Sequence, residues 1–203
     1  MPSRDVIFWE VDPQVDFMLP HGKLYVKGAE KLLPNIRRLT DAAREESVFL
    51  VSHGCFHSPD DPEFKRFPPH CVRGTPGAEF VPEALTARVA RIPNSNDSRL
   101  PDNLDDFHQV LLEKQTLDIF ESLHAHHLVE RLPRHADFVV FGVVTEFCVH
   151  FAAKGLLERK RKVFIVEDAI ETLASEHGNR TIGELTSLGA KIISTNQALA
   201  KVG

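Results

Sequence analysis

Short apolar runs alternate with longer amphipathic stretches along almost the whole chain, and this rhythm restricts the fold more than any other feature. The runs cover residues 6–11, 48–52, 110–112, 138–144, 163–166 and 191–194; they are rich in Val, Ile and Phe and too short for independent helices. Helical spacing predicts helices over residues 30–46, 120–132, 146–159 and 176–188, with Pro34 tolerated near the start of the first. Strands that alternate with helices imply right-handed crossovers and a parallel sheet covered on both faces. The expectation is a single α/β domain over residues 1–203, a three-layer α/β/α, Rossmann-like arrangement around about six mostly parallel strands. Sites in such sheets form at the carboxyl ends of the strands. Residues 53–103 break the rhythm with Pro, Gly, His and Asp, and a loop region that long in a compact domain is usually functional.

Composition removes several classes. Apolar residues at 42% and charged residues at 26% are values of a globular chain. A net charge of −5 supplies no footprint for nucleic acid, and the basic run at residues 159–162 reads as a solvated helix end. No apolar stretch approaches the ~20 residues of a membrane span, and the amino terminus shows no signal-peptide core. Cys55, Cys71 and Cys148 cannot all pair within one chain, so a reduced, cytoplasmic setting is expected.

The strand ends carry the chemistry. The first run leads into Asp12-Pro13-Gln14-Val15-Asp16-Phe17, another ends at Glu113-Lys114, and a third at Thr145-Glu146-Phe147-Cys148. In a parallel sheet Asp16, Lys114 and Cys148 reach one rim, and an acid, an amine and a thiol together are what thiol catalysis needs. A free thiol of pKa ~8.5 is mostly protonated at neutral pH, and a helix amino terminus stabilises its anion. Thr145 is a candidate cap for such a helix. By position alone, Cys148 is either this nucleophile or an ordinary packed thiol.

Asp12-x-Gln14-x-Asp16-Phe17, Lys114 with Phe120 after it, the stretch 142–149 (GVVTEFCV) and Val166-Glu167-Asp168-Ala169 together resemble the isochorismatase-like cysteine hydrolases, and among them the nicotinamidases. The resemblance implies a triad of Cys148 as nucleophile, Asp16 as general base and acid, and Lys114 between them. It also implies a cis peptide between Val143 and Val144, with the backbone N–H groups of Val144 and Cys148 forming an oxyanion hole. The implied reaction converts nicotinamide and water to nicotinate and ammonia through a thioester, in NAD salvage.

The stretch 67–78 (FPPHCVRGTPGA) resembles the nicotinamidase segment whose His binds a metal. By that resemblance His70 and His57 are metal ligands, and Phe67 and Phe17 enclose the substrate ring. The family carries Asp two residues before the first His, where this chain has Cys55. Cys55, His57 and His70 form a ligand set for Zn²⁺, or for Fe²⁺ or Mn²⁺; His53, Asp60 or Asp61 stand as substitutes for Cys55, and a site without metal is the other possibility. No organic cofactor is expected, and a homo-oligomer is. The rival readings are a metal-independent amidase for another small amide, carbamoyl or ureido compound, and a non-catalytic ligand-binding relative. Blander roles are expected for Cys71 (packed), Glu146 (structural), Phe8 and Trp9 (core), Arg73 (a turn) and His124, His126 and His127 (a solvated face).

Overall fold

A computed structural model describes residues 4–202. The strands are β1 (Val6–Val11), β2 (Phe49–Cys55), β3 (Val89–Ile92), β4 (Gln109–Lys114), β5 (Asp137–Gly142), β6 (Lys162–Ile170) and β7 (Lys191–Ile193). The helices are α1 (Val15–Met18), α2 (Leu33–Arg44), α3 (Ala125–Arg131), α4 (His150–Glu158), α5 (Ser175–Ser187) and α6 (Thr195–Leu199). All seven strands form one sheet of order β3-β4-β2-β1-β5-β6-β7, and every pairing is parallel. Two apolar cores cover its faces, one including Ile36 and Leu39 of α2 and Ala198 of α6, the other Leu128 of α3, Leu156 of α4 and Leu185 of α5. The three-layer expectation holds. Among the described residues, no helix is long and apolar enough to cross a membrane.

The sheet has one strand more than expected. The extra strand, β3, lies inside the irregular 53–103 region, where four residues, two of them buried, are too few to show a period. Three predicted helices are also shorter, the first opening as a 3₁₀ turn at Ala29–Leu32 before α2. Residues 120–132 reduce to a 3₁₀ turn at Ile119–Glu121 followed by α3. Residues 146–159 open as a π turn at Thr145–Val149 before α4 begins, and the Thr145 hydroxyl donates to Glu171 O rather than capping the turn. In the basic run, Arg161 is buried instead of solvated, because its guanidinium donates to Val129 O at 2.6 Å and to Pro133 O at 2.8 Å.

Strand order reverses between β1 and β5, and an open parallel sheet leaves a crevice at such a point, beyond the carboxyl ends of its strands. Gly142 closes β5 at φ +117°, where a Cβ would fall 2.1 Å from Val11 O; only glycine lets β5 run this close to β1 as it enters the site.

A polar row crosses the buried sheet on the α2 side. The Ser52 hydroxyl donates to Glu10 Oε2 at 2.7 Å, and Gln109 Nε2 donates to Ser52 Oγ at 2.7 Å. Burial pushes the Glu10 carboxyl up to about 8, against the Ser52 hydrogen bond and the distant Arg44 charge. A carboxyl whose pKa is raised by folding contributes most below its unfolded value, and that contribution is lost as pH rises through the folded value. Stability should therefore decline from pH ~4.5 to about 8, by at most about 5 kcal/mol. Glu10→Gln should flatten this decline in urea titrations at pH 5, 7 and 9; an equal slope in both proteins would place the pH dependence elsewhere.

Candidate active site

The carboxyl ends of β1, β2, β4 and β5 converge on one buried cation. Lys114, the last residue of β4, places its Nζ 2.9 Å from Asp12 Oδ2, 2.8 Å from Cys55 Sγ and 3.4 Å from Cys148 Sγ. Asp12 follows the last residue of β1, Cys55 is the last of β2, and Cys148 sits in the π turn after β5. All four are buried. Burial opposes the charge on Lys114, but Asp12 and the two sulfurs outweigh it and hold the ammonium well above its ordinary range. The two sulfurs diverge: a hydrogen bond from the Cys148 thiol, with Lys114 beside it, pulls Cys55 well down, while donating that bond and burial push Cys148 well up.

Asp16 lies outside this cluster, contrary to its expected place in the triad. Its Oδ2 accepts from Cys71 N at 2.7 Å and its Oδ1 from Lys23 N at 2.9 Å, so the carboxylate ties two loops together. It is tightly enclosed, since a Cβ on Gly77 would fall 2.2 Å from Asp16 Oδ2. Two signals separate the two acids. Asp12 directly follows the strand, as Lys114 and Cys55 end theirs, whereas Asp16 is four residues further on and already inside α1. Gln14, between them, has its amide fully used: it donates to Cys55 O at 2.6 Å and to Ala78 O at 2.8 Å, and accepts from Cys55 N at 2.7 Å.

Asp12, Cys55 and Cys148 of this cluster line a cavity of about 520 Å³ including its mouth, whose walls are mainly apolar, with Lys114 buried beneath. Phe17 and Phe67 line it, together with Phe147, Leu117 and Leu173, which the sequence reading did not single out. The Val143–Val144 peptide is cis, and both residues line the cavity beside Cys148. Glu146 plays the structural part expected of it, accepting from Thr172 Oγ1 at 2.7 Å and from the backbone N–H groups of Leu173 and Ala174.

On one side of the cavity the ligand atoms of Cys55, His57 and His70 lie within 4.8 Å of one another, and all three residues are buried. The donor set of one thiolate and two imidazoles suits a divalent transition metal. Each ring is oriented from behind. His57 Nδ1 lies 3.0 Å from Asp61 Oδ2 and His70 Nδ1 lies 2.8 Å from Pro68 O, the kind of outer contact that aims the opposite nitrogen at an ion. The opposite nitrogen of His57, Nε2, is buried without a hydrogen-bond partner, so the residues fit a metal. Of the possible substitutes for Cys55, His53 contacts Asp12, Asp61 stands behind His57 and Asp60 is exposed. The Cys71 thiol is buried and pushed far up by desolvation, in keeping with a packed role.

The isochorismatase domain pattern matches residues 7–92 and 83–197, nearly the whole chain. The chain belongs to the isochorismatase domain family. Among solved structures, the pyrazinamidase of Pyrococcus horikoshii in complex with zinc is 26% identical and superposes with a TM-score of 0.74, over 94% of this chain and 99% of that one. An isochorismatase-like hydrolase from Alkaliphilus metalliredigens, 21% identical, shares the fold at a TM-score of 0.76 over 96% and 97% of the two chains. The secreted isochorismatase effector Isc1 of Phytophthora sojae is 24% identical over 120 residues, 59% of this chain and 57% of that protein, so the match spans little more than half of that relative.

Within this isochorismatase-family scaffold, Asp16 accepts from two backbone donors, and removing it orphans both. Asp16→Ala should cost about 2–4 kcal/mol and lower the melting temperature by roughly 5–10 °C in calorimetry. An unchanged melting temperature would show that the loop contacts carry no net stability.

Proposed function

We propose that this isochorismatase-family chain is a cysteine amidohydrolase acting on a small planar amide, with nicotinamide as the substrate the site fits best. The observation that carries the reading is the position of Lys114, in contact with Asp12 and with Cys148 beneath an apolar cavity that His70 lines, with the His57 ring 4.9 Å behind that of His70. An aromatic cup of Phe17 and Phe67, whose rings lie 5.3 Å and 6.4 Å from that of His70, suits a flat heteroaromatic ring. The zinc-bound pyrazinamidase relative supports both the amide chemistry and the metal.

Asp12, in place of the Asp16 of the sequence expectation, takes the proton from the Cys148 thiol as Sγ attacks the amide carbonyl carbon. The C–S bond forms and the carbonyl π pair moves onto oxygen, which the N–H groups of Val144 and Cys148 receive. As the C–N bond breaks, Asp12 returns its proton to the departing ammonia, leaving a thioester on Cys148. Asp12 then deprotonates a water that attacks the thioester, and the released thiolate recovers that proton. Lys114 holds Asp12 Oδ2 at 2.9 Å, on the side of Cys55. Cys55, His57 and His70 would hold a divalent metal, which when bound would supply Lewis acidity towards a heteroaromatic substrate.

A second reading, a metal-independent amidase for a carbamoyl or ureido compound, is favoured by one feature. Cys55 Sγ already has a partner in the Lys114 ammonium, so the cluster is complete without an ion. The two readings part in ammonia-release assays. Cys148→Ala should lower kcat/KM for nicotinamide by about 10³-fold or more, and Asp12→Asn by about 10²–10⁴-fold, while Asp16→Asn stays within about tenfold of the parent. Comparable losses at Asp16 and Asp12 would overturn the assignment of the base. Chelation should abolish turnover and zinc restore it, and His70→Ala should remove zinc binding in calorimetry. Nicotinamide turnover indifferent to chelator would remove the metal, and ammonia released only from a ureido substrate would establish the second reading.

A further inference from the structure

His53 is buried two residues before the end of β2, and its backbone carbonyl accepts from Asp12 N at 2.9 Å. Its side chain meets the same residue again, with Nδ1 3.1 Å from Asp12 Oδ1. The other carboxylate oxygen, Oδ2, faces Lys114 Nζ at 2.9 Å and Cys55 Sγ at 3.7 Å. Asp12 is thus gripped on both oxygens, with the ammonium on one side and the imidazole on the other.

The tautomer follows from the remaining ring nitrogen. His53 Nε2 is buried with no hydrogen-bond partner, so a proton there would be an orphaned donor and would turn the Nδ1 lone pair towards the carboxylate. The neutral ring with its proton on Nδ1 avoids both penalties. The backbone of Asp12 needs such support, because it lies in the left-handed region at φ +48° and its side-chain direction is not set by a regular strand.

We propose that His53 is a positioning residue, whose Nδ1–H holds Oδ1 of Asp12 so that Oδ2 stays against Lys114 and towards Cys55. The proposal rests on Asp12 serving as the proton acceptor for Cys148. His53 touches no reacting atom. It fixes the plane of the carboxylate, and a displaced base of this kind costs rate more than it costs binding.

The test compares His53→Leu, which fills the space without a donor, with His53→Asn, whose Nδ2 reproduces the position of Nδ1. Expected are a fall in kcat of about tenfold or more in the Leu variant at unchanged KM, and recovery to within about threefold in the Asn variant. Equal impairment of both, or a change confined to KM, would reduce His53 to packing and overturn the proposal, as would a Leu variant at the parental rate. Should the Leu variant not fold, His53→Gln replaces it, because the longer side chain carries its amide past the Nδ1 position; equal Asn and Gln activities would then overturn the proposal. A second readout needs no substrate: the rate at which iodoacetamide alkylates Cys148, followed by mass spectrometry of its peptide with Cys148→Ala as blank. If the parent releases no ammonia from any amide, the functional reading fails while this rate still tests His53. It should fall about tenfold in the Leu variant and recover in the Asn variant, and equal rates would overturn the proposal.

Discussion

The Lys114 ammonium is the constraint around which the molecule is arranged. A buried lysine persists as a cation only where opposite charge repays its desolvation, and here Asp12 on one strand end and sulfurs on two others surround it. Each contact arrives from a different parallel strand or from the turn after one, so the cluster exists only if β1, β2, β4 and β5 are all in register. Strand pairing places Cys55 opposite Lys114 and Val11 opposite both His53 and Gly142. The buried charge therefore makes correct sheet assembly a condition of a tolerable active site, and a slip of one residue would leave an uncompensated ammonium in the core.

Around this centre the irregular loops act as clamps. The Gln14 amide is fully engaged with Cys55 and Ala78, Asp16 ties the Cys71 and Lys23 backbones, and Glu146 gathers the turn after β6. Arg73, expected only in a turn, forms a two-pronged bond to Glu113 at 2.6 and 3.0 Å and so ties the loop carrying His70 to β4, next to Lys114. Much of the polar content of residues 53–103 thus goes into holding two imidazoles and an aromatic wall against the ends of the strands. This is why the segment lacks periodicity yet is not a free loop.

The layers, the parallel sheet and the loop region were legible in the sequence because apolar runs report burial directly. The thiol and the lysine were legible for the same reason, as each sits at or just beyond a strand end. Choosing between Asp12 and Asp16 needed knowledge that pattern alone lacks: where β1 stops and how soon the chain enters α1. Strand β3 stayed hidden because four residues at the edge of a sheet carry too little alternation. The π turn at Thr145–Val149 has the same apolar spacing as a helix start and differs from one only in its hydrogen bonding. His53 opened the irregular region in the sequence and stood there only as a substitute ligand for Cys55, and nothing in one dimension puts its ring against Asp12.

Charge counting explains why the position of one carboxylate matters so much here. Lys114 is held as an ammonium well above its ordinary range and Cys55 is pulled well down by the hydrogen bond from Cys148 and by Lys114, so the anionic charge of the two sulfurs already rests on Cys55. A second thiolate at Cys148 would add an uncompensated negative charge in a buried site, which is the direction its raised pKa records. Cys148 therefore rests as a thiol, and under the proposed chemistry its proton leaves only as the carbon–sulfur bond forms. A nucleophile that is not ionised in advance depends on a base already in place, and the two grips on Asp12, from Lys114 and from His53, meet that need.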